Sequence, residues 1–511
     1  MMDKRPVLVT GATGYVGGRL VPLLLSNGHH IRVVGRSVAK LKCRPWSNHP
    51  LIETAQADML DEAALAEACR GCRTAFYLVH SMNPRHRNFE KVDRRAAANM
   101  AKAAALGGLD QIIYLGGLGG DNPAASKHLR SRTEVAEILG AGPVPVTFLR
   151  AAVILGAGSA SFELIRYLVE RLPVMITPRW VTNPVQPIAV RNVLAYLKGC
   201  LENPDLTRGR TFDIGGPDVL SYRRLMEIYA EEAGLSRRVV IPVPVLTPRL
   251  SSYWVNLVTP VPFSLAGPLI EGLSVPVVCK EDSIRSIIPQ HLIFCRDAIR
   301  YAIESTRSGG VETCWSDAGP VEVPEWLDCN DASFAGGTLF ECGYRVVIQA
   351  PASDIWKQVS SIGGARGWYF ADRLWALRGA IDRAIGGVGL RRGRRSPLEI
   401  RYGDSLDFWR VMEVSPEKRL RLLAEMKLPG EAMLEFRLEA LGEDRSLLEQ
   451  FSQFRPKGLA GIIYWYTLYP FHNLIFRGML NGIARSLARP IVVGPERFTP
   501  ASRAGSCRIG K

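Results

Sequence analysis

From Pro6 to Arg150 short β-branched runs alternate with segments of helical period. The runs are VLVT (7–10), IRVVGR (31–36), LIETAQA (51–57), TAFYLV (74–79), QIIYLGG (111–117) and VPVTFLR (144–150). Strands this short and this continuously apolar are covered on both faces, and the helices between them supply the cover. The pattern predicts a doubly wound parallel sheet, an α/β Rossmann-type fold. The rhythm changes further along. YRVVIQAPASDIWKQV reads as a strand and then an amphipathic helix, after which apolar positions recur every second residue. Leu420, Leu422, Ala424 and Met426 alternate with Arg421, Glu425 and Lys427, and Leu434, Phe436 and Leu438 with Glu435, Arg437 and Glu439. Turns SPEKR, LPGEA and GEDRS separate these runs, which predicts an antiparallel meander with one buried face.

These periods divide the chain. Residues 1–304 read as a nucleotide-binding domain with a substrate-side subdomain, and 305–340, rich in Gly, Pro, Ser and Asp, as a linker. Residues 341–488 read as an α+β domain and 489–511 as a disordered tail. A length of 511 residues agrees, since one core does not serve a chain of that size. Composition adds that the chain folds as an ordinary globular protein, with 47% hydrophobic and 22% charged residues. Sixty-four Lys and Arg against 49 Asp and Glu leave +15, which favours anionic partners. Nucleic acid is not expected among them, because no recognition helix or zinc knuckle accompanies the charge. The single C-x-x-C, Cys69 to Cys72, lacks the second pair of a zinc site, so no metal is expected and the thiols read as structural.

No secretory signal precedes the first strand, and the expected location is cytoplasmic. Two apolar stretches, Leu250 to Ile270 and Gly458 to Phe476, contain prolines that interrupt a helical ladder: Pro260, Pro262 and Pro268 in one, Pro470 in the other. They fit peripheral contact with a membrane, through Tyr253 and Trp254 or through Tyr464, Trp465 and Tyr466, better than a span.

The chemistry concentrates after the first strand. Gly11-Ala12-Thr13-Gly14-Tyr15-Val16-Gly17 is a G-x-x-G-x-x-G loop between a strand and a helix, where backbone approaches a pyrophosphate and the helix N-terminus faces it. A basic side chain at the end of the second strand pairs with the extra phosphate of NADP, and here that strand ends in Gly35-Arg36, which favours NADP(H) over NAD(H). Asp58 follows the third strand, where its carboxylate can meet the adenine amino group with Met59 beside it, or cap the next helix.

Together these residues resemble the extended and atypical short-chain dehydrogenase/reductases, from about Val7 to the TFDIGG strand near Ile214. The resemblance implies nicotinamide-side contacts at Leu78, Val79, His80 and Ser81 and a Ser-Tyr-Lys catalytic set. All three members are replaced: Gly116 and Gly117 stand at the hydroxyl position, His128 at the Tyr and Arg132 at the Lys. Arg132 keeps the charge that would hold the ribose, and His128 can exchange a proton near neutral pH, although Lys127, Arg130 and Arg132 disfavour its charged form. Tyr114 alternates with Ile112 as a buried strand residue would. HLRSR with the segment FLRAAVILGAGSASFELIRYLVERLPVMITP is similar to the atypical, NmrA-like branch that includes the NADPH-binding accessory subunit of mitochondrial complex I. This implies bound NADP(H) and a pocket formed by Gly156 to Pro187, with Ser159, Ser161, Asn183 and Gln186 as polar candidates.

GWYFADRLWALRG, GGVGLRRGRR, GDSLDFWRV and AEMKLPGEA resemble a domain of unknown function fused to some bacterial reductases, and the order of elements resembles a helix-grip, START-like fold. Trp368, Tyr369, Trp375 and Trp409 would line an apolar cavity or fill a core, and Arg391, Arg392, Arg394 and Arg395 would face an anion or solvent. The expectation is an NADP(H)-dependent oxidoreductase acting on a quinone- or isoprenoid-like molecule. The alternatives are a non-catalytic NADPH-binding sensor or assembly module, and a lipid carrier.

Overall fold

The computed structural model describes residues 5–42, 44–79, 89–243, 263–307, 339–391, 393–397, 399–456 and 458–498. The chain divides into two compact units, Met1–Gly319 and Pro320–Lys511.

In the first unit the predicted runs become strands β1 (Val7–Thr10), β2 (Ile31–Gly35), β3 (Ile52–Gln56), β4 (Thr74–Tyr77), β5 (Gln111–Gly117) and β6 (Val146–Ala151). A ribbon strand β7 (Val174–Pro178) and the last sheet strand β8 (Thr211–Ile214) follow. The sheet is parallel throughout, with order β8-β6-β5-β4-β1-β2-β3. The order reverses between β1 and β4, and the crevice at the carboxyl ends of these strands is where a doubly wound sheet takes its ligand. Strand β9 (Val239–Val243) pairs with β7 in a separate parallel ribbon.

Helix α1 (Gly17–Ser26) follows β1, α2 (Phe89–Gly107) precedes β5, and α3 (Lys127–Gly140) follows it. Ser126 caps α3 by accepting from Leu129 N. Beyond the sheet, α4 (Ala160–Arg171), α5 (Tyr222–Glu232), α6 (Phe263–Gly272) and α7 (Cys295–Arg307) build a second apolar cluster from Phe162, Ile165, Tyr229 and Ile299. Ser305 to Arg307, read as linker from the sequence, are the last turn of α7, and 308–338 lie outside the described residues.

The second unit is a seven-stranded antiparallel sheet. Its strands are β10 (Phe340–Ile348), β11 (Ser405–Leu406), β12 (Trp409–Ser415), β13 (Arg419–Ala424), β14 (Gly430–Ala440), β15 (Ser446–Pro456) and β16 (Ile491–Phe498), in the order β11-β12-β13-β14-β15-β10-β16. Helices α8 (Ala352–Ser360), α9 (Asp372–Ala384) and α10 (Gly458–Ser486) accompany it. Alternation works as expected: Leu420, Leu422, Leu434 and Phe436 are buried together with Phe476, Met479 and Leu480 of α10.

Three expectations need correction. The tail does not begin at 489, because Ile491–Phe498 pairs with β10; the β-branched Ile491, Val492 and Val493 suit a strand, and only 499–511 lie outside the described residues. Pro470 does not break its helix. α10 runs through it, since one proline removes one hydrogen bond while the sheet fixes both flanks by burying Trp465, Ile475 and Phe476. The basic loop does not present four arginines outward. Arg394 donates to the carbonyls of Ser360 (2.6 Å), Ile362 (2.8 Å) and Glu399 (3.1 Å), and Arg395 pairs with Asp404 at 3.0 Å. The backbone carbonyls of this irregular segment need donors, and a buried guanidinium supplies several at once. The burial of Arg394 pulls its pKa down to about 10. Arg392 and the Arg391 side chain lie outside what is described.

Candidate functional site

The Gly-rich loop is shaped by contacts that only glycine permits. Gly11 has φ +71°, and a Cβ there would lie 2.7 Å from Leu78 O, so β1 and the segment after β4 are in backbone contact. A Cβ on Gly17 would lie 2.3 Å from Gly11 O, so α1 starts directly against the turn. Gly14 N donates to Gly11 O at 2.8 Å and closes that turn. Beneath it, Thr10 Oγ1 donates to Phe76 O (3.0 Å) and accepts from Leu78 N (3.2 Å), locking the two strand ends together. Ala12 is buried, and Thr13, Gly14, Tyr15 and Val16 form the half-buried rim.

Sequence reasoning missed the residues that brace this rim. Arg44 donates to Thr13 O at 2.9 Å, Arg19 donates to Ala157 O at 2.8 Å, and the Arg19 guanidinium lies 4.7 Å from the Tyr15 ring centroid. No motif marks them, since each acts across at least one strand. Arg36 follows β2 and is exposed, and its carbonyl accepts from Gln56 Nε2 at 3.2 Å. Asp58 does not cap the following helix. Its Oδ1 accepts from Leu60 N at 2.9 Å, and Asp61 is the cap, accepting from Ala64 N. Met59 is buried, and its carbonyl accepts from Asn99 of α2 at 3.0 Å. His80 and Ser81 lie outside the described residues.

The end of β5 is tightly packed. A Cβ on Gly116 would meet Phe148 at 2.6 Å and one on Gly117 would meet Leu129 at 2.9 Å. Tyr114 is buried as its alternation predicts, stacked on Phe148 with centroids 5.0 Å apart and edge-on to Tyr77. Burial pushes both phenols above their usual range, against the opposing pull of the nearby Arg132 charge. Arg132 itself is buried in α3, receives the Tyr114 hydroxyl on its carbonyl at 3.3 Å, and keeps its Nη2 without a partner among the described residues. A buried guanidinium nitrogen and a glycine-tightened turn at a helix N-terminus both fit a nucleotide.

Beside Gly117 opens a cavity of about 280 Å³. Its wall is drawn from α3 (His128, Leu129), α4 (Leu164, Leu168), the β7 ribbon (Met175, Thr177) and α5 (Tyr222, Met226), and is mostly apolar. Thr177 Oγ1 and Trp180 Nε1 on this wall are buried with no partner among the described residues. Of the four polar candidates only Ser161 lines the cavity. Ser159 caps α4, Asn183 donates to Leu273 O and Ser274 O, and Gln186 bridges Gly216 O and Cys279 N. Lys127 and Arg130, the like charges expected to oppose protonation of His128, are exposed to solvent.

A parallel sheet with its Gly-rich turn at the order reversal defines an NAD(P)-binding Rossmann-type domain of the kind oxidoreductases use. Consistently, residues 11–153 match the NAD(P)H-binding family, and residues 334–479 match a protein family of unknown function, DUF2867. The chain is 26% identical over 271 residues to the mitochondrial NADH dehydrogenase (ubiquinone) 1 alpha subcomplex subunit 9 of Arabidopsis thaliana, covering 52% of this chain and 67% of that one. It is 32% identical over 113 residues to a 3 beta-hydroxysteroid dehydrogenase/Delta 5→4-isomerase of Mycobacterium tuberculosis, covering 22% of this chain but 28% of that enzyme. Among solved structures, the Escherichia coli NADPH-dependent quinone oxidoreductase complexed with NADPH shares 17% identity, with a TM-score of 0.47, over 58% of this chain and 99% of that one. Among the described residues no helix is long and apolar enough to cross a membrane.

Proposed function

We propose that the first unit is an NADP(H)-dependent reductase of an apolar carbonyl compound, quinone- or isoprenoid-like, working without the usual Ser-Tyr-Lys set. The observation that carries this reading is the apolar cavity of about 280 Å³ reaching Gly117 and His128 at the carboxyl edge of the sheet. Apolar walls with a few polar groups fix the orientation of such a ligand. Gly11 to Val16 would cradle the pyrophosphate, Arg36 would meet the 2′-phosphate, Asp58 and Met59 the adenine, and Leu78, His80 and Arg132 the nicotinamide side. A reduced nicotinamide supplies a hydride. The chain's own part is to exclude water with Leu164, Leu168 and Met226, and to deliver a proton from the protonated His128 ring, left as neutral imidazole, to the carbonyl oxygen that the hydride transfer makes negative.

Stopped-flow oxidation of NADPH with a panel of quinones and enals tests this, and His128→Phe should slow turnover at least tenfold without weakening NADPH. A second reading is favoured by the strand end, where neither Gly116 nor Gly117 bears a hydroxyl and the Phe148 ring occupies the space a side chain on Gly116 would need. It makes the unit a non-catalytic NADPH-binding module, and predicts a thermal shift with NADPH but no oxidation with any of the panel. An apolar substrate also fits a protein that works in peripheral contact with a membrane.

A further inference from the structure

Two neighbouring helices of the second unit turn apolar faces outward. On α9 Leu374, Leu377 and Ile381, with Ile385 at its end, recur at helical spacing, and on α10 so do Ile463, Tyr466, Phe471 and Leu474. These eight side chains are between 37% and 64% exposed. The inward faces already meet the core, α10 through Trp465, Ile475, Phe476 and Met479 and α9 through the partly buried Trp375, so the outer rows are not spare core. The helices are adjacent: Phe370 and Tyr369, just before α9, pack on Gly478 and Gly482 of α10, and Arg378 reaches Tyr464 Oη at 3.4 Å. Apolar exposure on this scale marks an interaction surface.

Charge identifies what meets it. α10 carries no Asp or Glu in its 29 residues, and Arg477 is exposed along it. α9 carries Arg373, Arg378 and Arg383; of its two acids, Asp372 at the first turn accepts from Trp368 N at 2.8 Å, and Asp382 is turned inward and accepts from Gly389 N and Lys427 N, so the helix is net positive. An isologous contact between two copies would set these arginines against each other. A surface of anionic lipid instead receives the apolar rows and neutralises the arginines, the combination by which interfacial helices bind. We infer that the outer faces of α9 and α10 form a docking surface for an anionic bilayer. The inference stands apart from the reductase reading, since it concerns the other unit.

Flotation of the full chain with vesicles of phosphatidylcholine alone and of phosphatidylcholine with phosphatidylglycerol tests it. Binding should be confined to the anionic vesicles and weaken as salt is raised. Replacing Leu377, Ile381, Phe471 and Leu474 together with Glu should lower partitioning at least tenfold. Arg373→Glu with Arg477→Glu, which touches no apolar residue and keeps the fold, should lower it about fivefold per arginine. The inference is overturned if the parent floats with neither vesicle, if both variants bind like the parent, or if light scattering finds a dimer that the Glu variant dissociates without any vesicle binding.

Discussion

Gly17→Ala isolates the geometry of the nucleotide loop with a single methyl group. The added carbon would sit 2.3 Å from Gly11 O, 2.8 Å from Gly11 C and 3.1 Å from Ala12 Cα, all backbone atoms. None can rotate away, and Gly11 cannot retreat because its own Cβ direction is blocked at 2.7 Å by Leu78 O. Ordinary contact begins near 3.4 Å, so the turn must open by about 1 Å, and that turn is the surface a pyrophosphate would rest on. Overpacking of this kind costs about 1 to 3 kcal/mol. If that cost falls on the loop, NADPH affinity drops by about fivefold to about 150-fold. Isothermal titration with NADPH and a thermal melt measure both terms. Gly28→Ala is the control for a glycine change outside the loop: its φ of +77° makes the added methyl costly in backbone strain alone, because its Cβ would meet nothing within 4 Å. It should lose about 1 to 2 kcal/mol of stability and leave affinity unchanged. Affinity of Gly17→Ala within twofold of the parent would show that the loop is not the cradle argued above.

Other consequences are separable. Arg36→Glu should weaken NADPH at least tenfold while leaving NADH within a factor of about two, by the phosphate-pairing argument; equal losses in a paired titration would remove the assigned preference. Glu435 is buried and receives Arg419 (3.2 Å), Arg421 (3.0 Å) and Arg437 (2.6 Å), so Glu435→Gln should cost about 2 kcal/mol in urea denaturation, and a neutral result would mean the cluster is mere surface charge. Burial pulls His472 down to about 4. Below the unfolded value near 6.5 only the unfolded chain takes the proton, so stability present above 6.5 is lost as pH falls towards 4, by up to about 3 kcal/mol, and His472→Phe should lack that part of the slope. Burial pushes Cys69 up to about 12 and Cys72 up to about 11, so neither should be alkylated in the folded protein at about pH 8 until denaturant is added.

Strands β1 to β6 were legible because buried parallel strands leave an unmistakable apolar run, and β13 and β14 because one solvated face enforces alternation. The fate of individual polar groups was less legible. Asp58 and Asp61 are chemically alike, and it is the extended backbone of Asp61, directly before the helix, that makes it the cap while Asp58 serves the turn at Leu60. Arg394 and Arg395 share a loop with Gly393, and their turn inward depends on partners outside it: the carbonyls of Ser360 and Ile362 for Arg394, and the Asp404 carboxylate for Arg395. Ile491 to Phe498 sat beside a composition typical of a tail, and became a strand because the outer edge of β10 was open to pair with it.

The sequence by itself determined the alternation of β-strands and helices, the Gly-rich turn and the absence of a hydroxyl at Gly116 and Gly117, since each is a local matter of period, backbone freedom or side-chain identity. Tertiary structure decided that a cavity opens beside Gly117, that Arg132 keeps a buried nitrogen unpartnered next to it, and that α9 and α10 hold apolar rows to solvent. A helix with apolar residues on two faces has one period whichever face is buried, and only packing against the sheet fixes which row is left outside.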